Sequence, residues 1–378
     1  MFEKLAGIIS RSELPQVVLN PSGKNKGVVA ISYLAWPFKK NRIDSRSRGH
    51  TNAQEVLAMA KIFVELGFRV DVCDWENADY VPPGDCAIAI DIHGNLERWI
   101  LPRECKKVLH ATGAHWLFQN RAELERLEAL RIRKGVALSS RRIVEPSRGS
   151  EVADHVTVLG NEFTMETFRF TGKPLTRIPI SSAYAFSYPQ ERDQEKARRK
   201  FLWLGSYGMV HKGLDLALEA FAEMPELQLT VCGRPEKEED FYNLYETELK
   251  KTANIHFQGW VDMSSPQFAE IARTHAAVIY PSCSEGGAGS VIHCMHAGLI
   301  PVCTTEASVD LGAFGISVNE GSVSAVRNAC QRIAGMSPKE IGERSRAAWE
   351  HATKYHSLDA FADNYSRFAA TLIDDLSR

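Results

Sequence analysis

The residues best suited to chemistry lie in Pro281–Thr304, PSCSEGGAGSVIHCMHAGLIPVCT. Glu285 is the one charge in a loop of small residues running through Gly286, Gly287, Ala288 and Gly289 to Ser290. The apolar run Ala276–Tyr280 before it reads as a buried parallel strand. Ser290 to Ala297, stopped by Gly298, reads as a short buried helix with a glycine cap, and Ile300–Cys303 starts another strand. A strand, a glycine loop open to a ligand and a helix N-terminus with unpaired N–H groups make an anion site, most often for phosphate. A glycine turn in any doubly wound fold reads the same way, so the segment alone leaves both open. Two further chemical groups stand at strand ends, His93 after CAIAIDI and His110 closing KVLH, with His115 shortly after. Such ends are where doubly wound folds bind ligands, although a lone histidine serves equally well as a core residue.

The elements that must position these groups alternate twice along the 378 residues, a length that calls for two cores. In the first half, strands are expected at Gly27–Ala35, Phe68–Cys73, Cys86–Ile92, at 107–110 and at 156–159, and helices at Asn52–Leu66, Gln119–Lys134 and Asn161–Phe168. Pro174 to Pro179 leads out of the domain, and the polar stretch 187–200 reads as the linker. In the second half, strands at 201–205, 227–232, 255–257, 276–280, 300–303 and 314–318 alternate with helices at 214–221, 241–249, 268–273, 290–297, 323–333 and 338–351. Two such alternations mean two Rossmann-like domains with parallel sheets and the ligand cleft between them. The expected division is 1–187 and 188–357, with a C-terminal helix, about 358–378, free to pack back on the first domain.

Composition narrows the class. Hydrophobic residues at 44% and charged residues at 24% are ordinary for a globular chain. A net charge of -2 gives nothing global to recruit nucleic acid. The eight cysteines include no Cys-x-x-Cys pair and fall mostly in apolar strand or helix patterns, as in a reduced cytoplasmic protein without a zinc site. No apolar run reaches the roughly 18 residues of a transmembrane helix, and MFEKLAGIISRSE lacks the basic start and apolar core of a signal peptide. Phe2, Leu5, Ile8 and Ile9 share one helical face, which is expected to dock on its own domain and leaves peripheral contact with the inner membrane face open. Two basic loops, Lys39 to His50 and Arg141 to Arg148, follow strands or helices of the first domain.

The second half resembles a known family on particular residues. Leu204-Gly205-Ser206, His211-Lys212-Gly213-Leu214 with LALEAF, Leu229 to Gly233, IHFQGW at 255–260 and the segment from Pro281 fall in the order and spacing of glycosyltransferase family 4, retaining enzymes of the GT-B type. The likeness covers most of residues 201–320. It extends more weakly to Arg48-Gly49-His50 and Glu65 to Val72, and a subgroup associated with polysaccharide assembly matches PSCSE and CMHAGLIP best. The resemblance implies that Lys212 contacts the diphosphate of a nucleotide-sugar donor, stabilising the leaving group's growing charge. It places Glu285 on donor-sugar hydroxyls, His110 near the reacting centre, and the amides from Gly286 through Ala288 and Gly289 to Ser290 on the diphosphate and sugar. Arg48, Gly49, His50, His93 and His115 would lie on the acceptor or phosphate side. No metal and no cofactor are expected, the nucleoside-diphosphate sugar being a co-substrate.

The pattern is broken twice. His293 stands where the family's second glutamate would hold the ribose, and a neutral imidazole accepts one hydrogen bond where a carboxylate accepts two. Ser206 stands in place of an arginine, so one cation is missing unless Arg234 or the loop at 42–48 supplies it. The expected function is transfer of a sugar from a nucleotide sugar to a hydroxyl acceptor, a saccharide or lipid-linked saccharide in surface polysaccharide or glycolipid synthesis. The alternatives are a non-catalytic relative in an assembly complex and a sugar-nucleotide epimerase.

Overall fold

The computed structural model describes residues 17–38 and 49–376. The helical face at Phe2, Leu5, Ile8 and Ile9 and the basic loop through Arg48 lie outside the described residues. Seven strands form the first sheet: β1 (Val17–Leu19), β2 (Val28–Tyr33), β3 (Arg69–Asp74), β4 (Cys86–Asp91), β5 (Lys106–Ala111), β6 (His155–Leu159) and β7 (Leu175–Ile178), in the order β1-β3-β2-β4-β5-β6-β7. Its two principal helices are α1 (Thr51–Glu65) and α2 (Trp116–Lys134). The second sheet contains β8 (Lys200–Leu204), β9 (Gln228–Cys232), β10 (Ile255–Gly259), β11 (Ala277–Tyr280), β12 (Ile300–Cys303) and β13 (Ile316–Ser317), ordered β10-β9-β8-β11-β12-β13. Around it run α3 (Leu214–Ala222), α4 (Pro266–Thr274), α5 (Gly289–His296), α6 (Val323–Ala334) and α7 (Pro338–Tyr355), and α8 (Leu358–Leu376) closes the chain.

The central strands explain themselves chemically. All six residues of β2, VVAISY, and all four of β11, AVIY, are buried, as expected of parallel strands covered by helices on both faces. Both sheets are parallel except for β1, which pairs antiparallel with β3 at the edge and is too short for periodicity to reveal. β7 forms beside β6, where the sequence suggested only an exit. Pro174 and Pro179 flank it, at edge positions where a missing N–H costs little. The helix expected over 241–249 is two short turns, Glu239–Leu244 and Glu246–Lys251, hinged at Tyr245. That ring is fully buried and its hydroxyl donates to Glu219 at 2.6 Å.

The final helix returns to the first sheet. Phe361, Tyr365, Phe368, Ala369 and Leu372 keep helical spacing and pack with Val56, Met59, Ala60 and Phe63 of α1. Fully burying one such side chain is worth roughly 1.5–3 kcal/mol, so this face supplies the docking. Among the described residues, no helix is long and apolar enough to cross a membrane.

Sheet order fixes where a ligand belongs. In the second sheet β9 and β10 lie on one side of β8 while β11, β12 and β13 lie on the other, so the direction of winding reverses between β8 and β11. The crevice outside the carboxyl ends at such a reversal is the ligand position of open α/β sheets. The loops leaving those two strands carry Lys212 and Glu285.

Candidate active site

Lys212 and Glu285 meet across the reversal point. Lys212 Nζ donates to Glu285 Oε1 at 2.8 Å and to the Tyr280 hydroxyl at 2.8 Å, and the Ser282 hydroxyl donates to the same Oε1 at 3.2 Å. Burial pushes the Glu285 carboxyl up, but Lys212, helped by His211 and Arg142, outweighs it and holds the group at about 2. Burial lowers the Lys212 ammonium, against the pull of Glu285. The turn that presents Lys212 needs Gly213: its φ is 71°, and a Cβ there would lie 2.4 Å from the Pro281 carbonyl oxygen.

The glycine loop is clasped by the first domain. A Cβ on Gly286 would come within 2.3 Å of the Thr112 carbonyl oxygen, and one on Gly287 within 3.1 Å of Gly160 Cα. The Thr164 hydroxyl donates to the Glu285 carbonyl at 3.2 Å. Ala288 spends its amide on the Ala307 carbonyl, 2.9 Å away. Gly289 and Ser290 head α5, where no intrahelical carbonyl is in reach of their amides.

Beside the pair lies a cavity of about 420 Å³, bounded by Ser284, Glu285 and Gly286 from the second domain and otherwise by the first. Trp75, Trp116 and Phe168 give it aromatic walls, and His93, His115 and Arg142 add polar ones. His115 Nδ1 accepts from the Leu117 amide at 3.4 Å, and burial lowers the ring's pKa against an opposing influence of Glu151. His115 Nε2, Trp116 Nε1, Arg142 Nε and Ser284 Oγ are buried here without a protein partner. Orphaned polar atoms lining a concave, aromatic space suit a polyhydroxylated ligand.

The other expected site residues have these surroundings. His110 lies on the face of β5 opposite to Leu109 and Ala111, which line the cavity; it contacts Tyr33 and Tyr365, and its Nδ1 is 2.8 Å from the Thr157 hydroxyl. His293 accepts from the Ala183 amide at 3.1 Å, and burial pushes it down to about 3, so its acceptor is committed to the interdomain connection. Arg234 stacks over Trp260, 5.3 Å from the ring centroid, and Ser206 is exposed on the loop after β8. Gly49 abuts Tyr184, and His50 packs edge-on against Trp36, with burial lowering its pKa. His93 lines the cavity with its ring edge-on to Trp75.

Three contributors carried no assigned role in the sequence. Tyr280, the last residue of β11, braces both charges. His211 bonds Glu123 of α2 through Nδ1 at 2.6 Å and the Ser284 carbonyl through Nε2 at 2.5 Å. Nδ1 thus faces a carboxylate and Nε2 a backbone carbonyl, which fixes the ring between the two domains. Glu123 therefore ties α2 to the residue beside Lys212. Its signal was a polar stripe, Gln119, Glu123 and Arg126, at the buried spacing of an otherwise charged helix. Glu123, His211 and Cys283 are also close enough together to share a metal ion. Their geometry is that of a hydrogen-bonded clasp, with burial pushing the Cys283 thiol up to about 12.

Comparison with known proteins agrees with this geometry. Residues 198–335 match the family model of glycosyl transferases group 1. No curated protein matches the sequence significantly. Among solved structures, trehalose 6-phosphate synthase from Burkholderia multivorans superposes with a TM-score of 0.59 at 11% identity, over 93% of this chain and 99% of that one. WaaG, a glycosyltransferase involved in lipopolysaccharide biosynthesis, gives 0.55 at 14%, over 90% and 99%. A mutant of S. aureus TarM, solved with UDP and α-GlcNAc-glycerol, gives 0.51 at 12% over 74% of this chain. The chain spans about half the length of TarM, 54%. With two Rossmann-like sheets facing across a cleft, the chain has the GT-B fold, and its match to glycosyl transferases group 1 lies within the residues that build the second sheet.

Proposed function

We propose that the protein is a retaining glycosyltransferase that moves a sugar from a nucleoside-diphosphate sugar to a hydroxyl of a saccharide or lipid-linked saccharide. The observation that carries this reading is the Lys212–Glu285 pair, at the winding reversal and beside the orphaned amides of α5, opening onto a cavity walled by the other domain. In transfer the bond from sugar C1 to the diphosphate oxygen breaks and its electron pair leaves with the diphosphate. The acceptor oxygen bonds C1 and its proton passes to the leaving group. Lys212 and the Gly289 and Ser290 amides face the charge that develops, the largest electrostatic demand of the step. Glu285, released from Lys212 by the incoming phosphate, is free to accept sugar hydroxyls. These cationic and amide donors support a site that works without a resident metal or cofactor.

WaaG, involved in lipopolysaccharide biosynthesis, motivates a role in surface polysaccharide or glycolipid assembly, as does the aromatic cavity walled by the first domain. A non-catalytic relative is the second reading, favoured by the commitment of His293 to Ala183, which leaves no side-chain acceptor at that position for a ribose. Calorimetry against a panel of nucleotide sugars, followed by acceptor-dependent release of nucleoside diphosphate, separates the readings. Saturable donor binding with turnover abolished by Lys212→Ala supports the enzyme. Binding without turnover supports the scaffold, and conversion of donor without acceptor indicates an epimerase. No donor binding at millimolar concentration rejects the enzyme and epimerase readings.

A further inference from the structure

We infer that Arg142, from the loop after α2 in the first domain, binds the donor's diphosphate opposite Lys212, an assignment that rests on the nucleotide-sugar reading. A diphosphate ester brings about two negative charges to the site. Lys212 supplies a single positive charge and cannot balance them alone, even once the phosphate displaces Glu285, 2.8 Å away, from it. The amides at the head of α5 add partial charge equivalent to about half a unit. A further cation has to come from nearby.

Arg142 meets that need by geometry. Its side chain lines the cavity with Ser284, Glu285 and Gly286, and its buried Nε has no hydrogen-bond partner. The neighbouring arginines are committed: Arg126 donates to the Pro281 carbonyl at 2.9 Å, Arg133 pairs with Asp215 at 2.6 Å and Arg141 with Asp240 at 2.6 Å. Among the described residues, no carboxylate closes on Arg142. Its charge nevertheless acts on the pair, favouring ionised Glu285 and disfavouring ionised Lys212.

The loop is held as if placement mattered. Glu123 Oε1 accepts the Arg142 amide at 3.2 Å, and Gln119 Nε2 donates to the Arg142 carbonyl at 2.7 Å. The other oxygen of Glu123 bonds His211, the residue before Lys212. One carboxylate thus sets the Arg142 loop relative to the lysine across the domain boundary. The stem of Arg142 lies against Gly208, where a Cβ would approach Cγ to 2.7 Å, so the β8–α3 loop leaves room for it. A guanidinium offers phosphate two parallel N–H donors, which an ammonium cannot. Because the cation comes from the opposite domain, tight diphosphate binding requires the closed arrangement of the two sheets.

The test uses the full chain and inorganic pyrophosphate as the probe, by calorimetry, with donor kinetics beside it. Arg142→Met keeps the stem and removes the charge, and Arg142→Gln provides a second uncharged variant should the first fold poorly. Both are expected to bind pyrophosphate roughly 10- to 100-fold more weakly than the native chain, the scale for one charge-assisted hydrogen-bonding group. Arg142→Lys should fall between. The rise should appear in donor KM, with acceptor KM unchanged, a split that a merely structural defect does not produce. Pyrophosphate binding within about twofold of native in a folded uncharged variant overturns the inference and leaves the nucleotide-sugar reading standing. A native chain that binds neither pyrophosphate nor any nucleoside diphosphate overturns both.

Discussion

Replacing Lys212 with methionine keeps the aliphatic stem and deletes the charge that neutralises Glu285. The two side chains retain only 10% and 12% of their exposure, and Nζ stands 2.8 Å from Oε1. At that separation the gross attraction is on the order of 6 kcal/mol for an effective dielectric of about 20. Glu285 descends from 4.5 to about 2 in spite of burial. At about 1.4 kcal/mol per unit, that shift corresponds to roughly 3 kcal/mol of net stabilisation. Lys212→Met is therefore expected to lose about 3–5 kcal/mol in urea denaturation at neutral pH, the range for an orphaned buried charge. Glu285→Gln in the same background should recover most of it, because the charge left without a partner is gone. The pH dependence follows in sign. With its folded pKa depressed, native Glu285 contributes stability above its unfolded value and loses it as pH falls through about 2. In the variant burial acts without the lysine and raises the carboxyl, so the gap between native and variant narrows as pH falls toward about 5. A single-variant loss under about 1 kcal/mol, or a double variant no more stable than the single, would refute the reasoning.

Two other outcomes are expected. Burial pushes His110 and His293 down to about 3 and His275 and His356 to about 4. Each contributes stability above its unfolded pKa of about 6.5 that is lost as pH falls toward the folded value, about 1.4 kcal/mol per unit per residue at most. Glu55, raised by burial to about 7, opposes them with a single proton. The urea midpoint should drop steeply between about pH 6 and 5, and a flat profile contradicts the buried neutral state of these rings. Gly286→Ala should force the Thr112–Gly113 loop away, since its Cβ would meet backbone at 2.3 Å. Scattering should then report a larger radius of gyration, with donor turnover reduced about tenfold or more and little change in melting temperature. Native dimensions and native turnover in that variant count against closure at this contact.

Much of the architecture was legible because parallel strands buried on both faces leave short apolar runs, and the helices between them keep their spacing. Pro281–Thr304 could be read as strand, glycine loop and helix start because each element is specified by neighbours in sequence. Glu285 stood out as the one charge of that loop, whereas Lys212 was singled out through the family resemblance. Their pairing was not legible, since it depends on β8 and β11 being adjacent at the winding reversal.

Tertiary structure alone decided which chemically able residues face the cleft. A strand with both faces buried has no polar side to reveal orientation, so His110 could be placed at a strand end but not on a face; the sheet turns it toward Tyr33 and Tyr365. His293 occupies the helix position expected, yet the chain returning at Ala183, 110 residues earlier, takes its acceptor. Arg141 and Arg142 are adjacent and chemically identical, and only the opposing domain distinguishes them. It binds the first to Asp240 and leaves the second open to the cavity beside Glu285. Sequence determined the elements and the supply of charges, because those follow from local spacing and composition. The pairing of charges was left to the fold, because it depends on distances between segments that spacing along the chain does not encode.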